Sequence, residues 1–201
     1  MAIKKATKLQ AVNTIISNIG QAPVTNLESG NPLVEMAEQI LDEITIAVLA
    51  EGWEYNTERG YPFTPDSNNQ IVIPDNVLQL DTKPGDGTQT VIRNGKLYDR
   101  VKHTYTFDGQ QKLDVQWLFD FEDLPEAFKN YIPIRAANVF AGRSVGSQEA
   151  VSFGQREETI ARATLMEYDT QQGNYTIFAD GDGDDTYQKS AHRPINVLLR
   201  P

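Results

Sequence analysis

Residues 8–28, KLQAVNTIISNIGQAPVTNLE, set the frame for the rest of the chain. Leu9, Val12, Ile15, Ile16 and Ile19 recur at helical spacing, so one stripe of this first helix must pack against another element. Gly20 can take the left-handed conformation that closes a helix, and Pro23 cannot continue one. The spacing therefore specifies an abrupt stop followed by a Pro-containing turn.

Further along, Asn31 is placed to cap a second helix and Pro32 suits its first position. Leu33, Met36, Ala37, Ile40, Leu41, Ile44 and Val48 give it a broad apolar stripe. It ends near Gly52. From Trp53 the texture changes to short β-branched or aromatic runs broken by Pro, Gly, Asn and Asp, with strands expected at 71–73, 77–80, 89–93, 96–100, 103–107 and 112–119. Arg93-Asn94-Gly95-Lys96 is the clearest local signal, because Asn-Gly supports the positive φ angles of a two-residue hairpin turn. Leu113, Val115, Trp117 and Phe119 alternate with Asp114, Gln116 and Leu118, which marks one face as buried. This middle region reads as a small antiparallel sheet or sandwich, with Trp53, Tyr55, Trp117 and Phe119 in its core.

Helical signals return at Asp123, an expected N-cap three residues before Glu126, with Pro125 in the first turn. Phe128, Tyr131, Ile132, Ala136, Val139 and Phe140 continue the stripe, and Pro133 inside it predicts a kink in preference to two separate helices. A last helix is expected to start near Ser147 or slightly later. It continues through Glu157, Ile160, Ala161, Thr164, Leu165 and Tyr168, and stops before Gly173. Glu158 and Arg162 support it at i,i+4. Beyond Gly173 come an acidic, Gly-rich segment and an apolar patch, Ile195, Val197, Leu198 and Leu199, a pattern that orders when a groove receives its apolar end.

The order helix, helix, strands, helix, helix, tail indicates an α+β fold: a helical bundle built from both chain ends with an inserted antiparallel β domain and an extended C-terminal tail. The expected domains are 1–52 plus 123–173 for the bundle, 53–122 for the β domain and 174–201 for the tail.

Composition narrows the function. The chain has 201 residues, 39% of them hydrophobic, and no long apolar run. Glu35, Glu38, Gln39, Asp42 and Glu43 interrupt the most apolar helix with charged and polar groups, which excludes it as a membrane span. No apolar run or small-residue cleavage site follows the lysines of MAIKKATK, so no secretory signal is expected and cytoplasmic synthesis is the default. The absence of cysteine removes disulfides, thiolate nucleophiles and sulfur-based zinc sites. A net charge of −10 argues against a surface built to grip nucleic acid phosphates, and sequence-specific DNA binding is not expected.

Constellations capable of chemistry are sparse. Asp180, Asp182 and Asp184 alternate as in the first half of a calcium-binding loop, but Asp185 stands where Gly is needed and Ala191 where the bidentate Glu is needed. His103 and His192 lie in unlike regions, too few for a three-histidine metal site and neither near a nucleophile elbow. Gly85-Asp86-Gly87 lacks the Lys and the following helix of a phosphate loop and reads as a turn. Two carboxylate pairs, Glu122 with Asp123 and Asp108 with Asp114, would suit a polysaccharide-degrading hydrolase, yet among twenty-eight acidic residues such pairs arise by chance. No catalytic, cofactor-binding or metal residue is assigned. A hydrolase using a carboxylate pair and a calcium-dependent binding module stand as the alternatives to a structural role.

Several islands in fixed order decide between these classes: AVNTIISNIGQAPVTNLE at 11–28, GWEYNTERG at 52–60, DNVLQLD at 75–81, LYDR at 97–100, DLPEAFKNYI at 123–132, and EYDTQQGNY followed by DGD within 167–182. Together they resemble the tail tubular protein A family, the head-to-tail adaptor of short-tailed, podovirus-type bacteriophages. The resemblance implies a non-enzymatic structural protein of the virion tail, assembled in the host cytoplasm. It implies a dodecameric ring between the portal protein and the tail nozzle protein, through which double-stranded DNA passes without sequence-specific binding. The acidic turn followed by Ile195-Asn196-Val197-Leu198-Leu199 predicts in addition that the tail after Gly173 orders against a neighbour or the portal.

Overall fold

The computed structural model describes residues 5–28, 30–82, 89–144 and 148–173, with the side chains of 148–153 excepted. The fold is α+β. Helices α1 (Lys8–Ser17) and α2 (Pro32–Leu49) precede strands β1 (Thr57–Phe63), β2 (Val77–Thr82), β3 (Thr90–Arg93), β4 (Lys96–Asp99) and β5 (Gln111–Trp117). Helices α3 (Glu126–Ser144) and α4 (Gln148–Gln172) follow, and two 3-10 turns, Glu54–Asn56 and Phe121–Asp123, sit at the passages between helices and strands.

The ends of α1 follow from its sequence. Thr7 and Gln10 form a capping box at its start, with Thr7 Oγ1 accepting from the Gln10 amide and the Gln10 side chain accepting from the Thr7 amide. At its end Gly20 takes φ 77° and the Gln21 amide donates back to the Ile16 carbonyl. Asn13 fixes the departing chain, its side chain both accepting from the Val24 amide and donating to the Val24 carbonyl. Asn31 caps α2 through the Leu33 amide, with Pro32 at the first helical position.

Apolar side chains collect in two clusters. The larger takes Val12, Ile15 and Ile16 from α1, Ile40, Leu41 and Val48 from α2, Phe128, Ile132 and Phe140 from α3, and Ala161 and Leu165 from α4. Helices from the two chain ends therefore share one core. Each of its large, fully buried side chains stabilises the fold by about 1.5–3 kcal/mol relative to exposure. The smaller cluster joins Phe63, Ile71, Ile73, Leu97, Phe107, Leu113 and Val115. The strands form an antiparallel sheet of order β1-β5-β2 and a β3-β4 hairpin whose turn is Asn94-Gly95, both at positive φ.

Four expectations need correction. Strand β1 was not anticipated, because Gly60 and Pro62 read as breakers. It lies at a sheet edge and carries a bulge between Glu58 and Tyr61, where both residues are tolerated. Segments 71–73 and 103–107 are not strands; they make isolated bridges only, and His103 sits at φ 54° in a turn. Asp123 does not cap α3. It belongs to the preceding 3-10 turn, and the Pro125 carbonyl receives the first helical bonds, from Phe128 and Lys129. Finally, Trp53, Tyr55 and Phe119 pack on the helical core, with Trp53 edge-on to Phe128, and only Trp117 joins the β cluster. Helix α3 continues through Pro133 without splitting.

Candidate functional site

Helix α4 packs on α3 and leaves two large apolar side chains, Ile160 and Met166, in solvent. Its inner side is held by a charged clamp. Glu51, just past the end of α2, receives hydrogen bonds from Arg135 of α3 at 2.9 Å and from Arg162 of α4 at 2.8 Å. Both arginines also donate to the hydroxyl of the buried Tyr131, at 3.4 and 3.0 Å. Partial burial by itself would raise the Glu51 carboxyl, but the hydrogen bonds from Arg162 and Arg135 outweigh it and hold the group below its ordinary value.

Two further contacts fix the register of α4. The Asp169 carboxylate accepts from the Glu54 amide at 2.7 Å, and burial pushes its pKa up despite that bond. The Asn138 side chain of α3 donates to Glu158 at 2.8 Å, directly over Gly154, where any Cβ would land on the Asn138 amide group. Only glycine leaves room for the Asn138 amide group in this position.

The other side of α4 has no cover among the described residues. Ile160 is 60% exposed and Met166 54%. Ile160 lines a shallow groove of about 330 Å³ together with Asn130 and Ile134 of α3, and Ile134 and Glu157 continue it towards Thr14 and Asn18 at the end of α1. The bundle thus carries an open furrow that is apolar where Ile134 and Ile160 line it and polar at its α1 end, where Thr14, Ser17 and Asn18 stand. Elsewhere, surface ion pairs join α2 to its neighbours, Glu43 with Arg143 of α3 and Asp42 with Lys8 of α1. Exposed pairs of this type contribute little to stability.

Of the four carboxylates singled out from the sequence, those of Glu122 and Asp114 have structural contacts. Glu122 accepts from the Lys8 amide at 3.4 Å, and its carbonyl accepts from the buried Lys129 ammonium at 2.6 Å. The Asp123 carbonyl accepts from the Tyr55 hydroxyl. Asp114 holds the bulged edge strand by accepting from the Gly60 amide at 2.8 Å, while Asp108 lies exposed in a turn before β5. Asp180, Asp182, Asp184, His192 and Gly85-Asp86-Gly87 lie outside the described residues, as does the segment 174–201. Among the described residues no group of three or more His, Asp or Glu converges to hold a metal ion, and no helix is long and apolar enough to cross a membrane.

Asn56, like Glu51 and Gly154, escaped the sequence reading. Asn56 is fully buried where the helices meet the sheet. It accepts from the Trp53 amide and donates to the carbonyls of Leu49 and Trp117, each at 2.9 Å. A polar residue inside an aromatic-rich stretch, GWEYN, was its one visible signal.

The comparisons with known proteins cover both the helices and the strands. A family model described as tail tubular protein matches residues 9–175, from the start of α1 to just past the end of α4. The chain is also 27% identical, over 163 residues, to tail tubular protein A of Klebsiella phage KP34, covering 80% of this chain and 86% of that protein. Since the match takes in the helices of both chain ends and the sheet between them, the chain belongs to the tail tubular protein family and is a structural protein of a bacteriophage tail.

Proposed function

We propose that the protein is a head-to-tail adaptor, a dodecameric ring that joins the portal protein to the tail nozzle protein and forms part of the DNA ejection channel. In this reading residues 1–52 with 123–173 form the bundle domain, 53–122 the β domain and 174–201 a docking tail. The observation that carries it is the open furrow on α1, α3 and α4, with Ile160 and Met166 unburied on a helix whose inner side is firmly clamped. A ring requires each subunit to offer a neighbour a surface different from the one it receives, and uncovered apolar side chains on a clamped helix suit such a contact.

The charge supports conduction without capture. Twelve subunits at −10 each would carry about −120, a field that disfavours adhesion of passing duplex. Electron microscopy of the full chain mixed with its portal protein is the direct test. A twelve-fold collar on the tail-facing side of the portal is expected, and binding to the nozzle or fibres with none to the portal would refute the assignment.

A further inference from the structure

Within 93–103, RNGKLYDRVKH, four Lys or Arg accompany a single acid, leaving −13 for the rest of the chain. That acid, Asp99, is 2% exposed and is occupied by the amides of Val101 and Lys102 at 2.8 and 3.0 Å. The charge this segment shows to solvent is therefore positive throughout. Pairing in the hairpin sets Arg93 opposite Lys96 on the outer side, while Leu97 and Asp99 point inward. Val72 bridges to Lys96 from the other flank, so it shares that outer face and is 60% exposed. The Arg93 guanidinium lies 4.3 Å above the Tyr98 ring, and Tyr105 packs edge-on against Tyr98. Arg93, Arg100 and Lys102 form no ion pair among the described residues.

We propose that this outer face of the β3-β4 hairpin docks on a carboxylate-bearing surface of a second copy of the chain. The inference rests on the adaptor reading, which requires unlike surfaces to meet between subunits. Charge complementarity names the occupant, because the rest of a copy of this chain carries a net charge of −13 against the +3 of this segment. A guanidinium resting over a tyrosine ring is steadied there while its donors remain available to a carboxylate. Exposed Val72 and Val101 beside the cations favour protein over duplex DNA, since phosphate gains nothing from aliphatic neighbours. The acidic remainder would also repel DNA.

Zero-length carbodiimide coupling in intact virions, followed by mass spectrometry, tests this. The expected result is amide links from Lys96 or Lys102 to carboxylates of another copy. Virions mixed from isotopically labelled and unlabelled chains would separate these links from links within one copy. The variant R93E/R100E/K102E is expected to lose them and to lower salt-sensitive self-association of the full chain at least tenfold, with its far-ultraviolet circular dichroism unchanged. Links to a different virion protein, or intact self-association in the variant, would overturn the inference while leaving the adaptor reading in place. Duplex binding that the variant abolishes would also overturn it. Absence of the chain from the portal–tail joint would remove both.

Discussion

Asn56 shows how much one side chain can decide. With no exposure, its three hydrogen bonds tie the end of α2, the following 3-10 turn and the last residue of β5 to a single amide. Asn56→Ala removes all three and strands buried backbone groups, so a loss of about 3 kcal/mol is expected in urea unfolding. A loss below about 1 kcal/mol would mean that the joint is held by packing alone. Glu51 offers a test in pH. Its folded pKa lies below the ordinary carboxylate value, so the clamp stabilises fully above that value and is lost as pH falls through the lowered one. The stability difference between pH 7 and pH 3 is accordingly expected to be smaller in Glu51→Gln than in the wild type, and equal differences would show that the arginines gain nothing from the charge.

Among the elements, α4 depends on its approach to α3. Gly154→Ala improves helix propensity by about 1 kcal/mol, but overpacking in a filled site costs about 1–3 kcal/mol. The Asn138 amide cannot yield without losing Glu158. The variant is expected to be less stable, with its largest increase in hydrogen exchange along α4; a gain in stability would show that the contact is slack. Gly154 was not legible in the sequence, since a glycine within a helical run carries no mark of what crosses it. The stop at Gly20 and the Asn94-Gly95 turn were legible, because each rests on local backbone sterics. Strand β1 was not, because its Gly60 and Pro62 are allowed only by its place at an edge, a fact of the whole sheet. The aromatics of 53–55 were misassigned for a similar reason. Periodicity tells which residues are buried, and nothing local tells on which of two cores. The clamp on Glu51 draws partners from 84 and 111 residues away, beyond the reach of any spacing rule.

For the whole molecule, the decisive feature is that the first helix closes the core begun by the last ones. Ile15 and Ile16 of α1 are at most 2% exposed, Asn18 donates to the Ala137 carbonyl of α3 at 3.2 Å, and the Lys8 ammonium reaches Asp42 of α2 at 3.0 Å. Detaching α1 would expose those two isoleucines together with the apolar surface of α2 and α3 against which α1 packs, at a cost of several kcal/mol. A ten-residue helix has no stability of its own to offset this. Native-state hydrogen exchange is therefore expected to give α1, α2 and α3 a common opening free energy close to that of global unfolding. The β3-β4 hairpin, with Leu97 its main anchor in the smaller cluster, should open at a lower one. Fast, independent exchange in α1 would mean that the two chain ends form separate bodies. A collar could not then transmit load from portal to nozzle through a single bundle, and the adaptor reading would lose its mechanical basis.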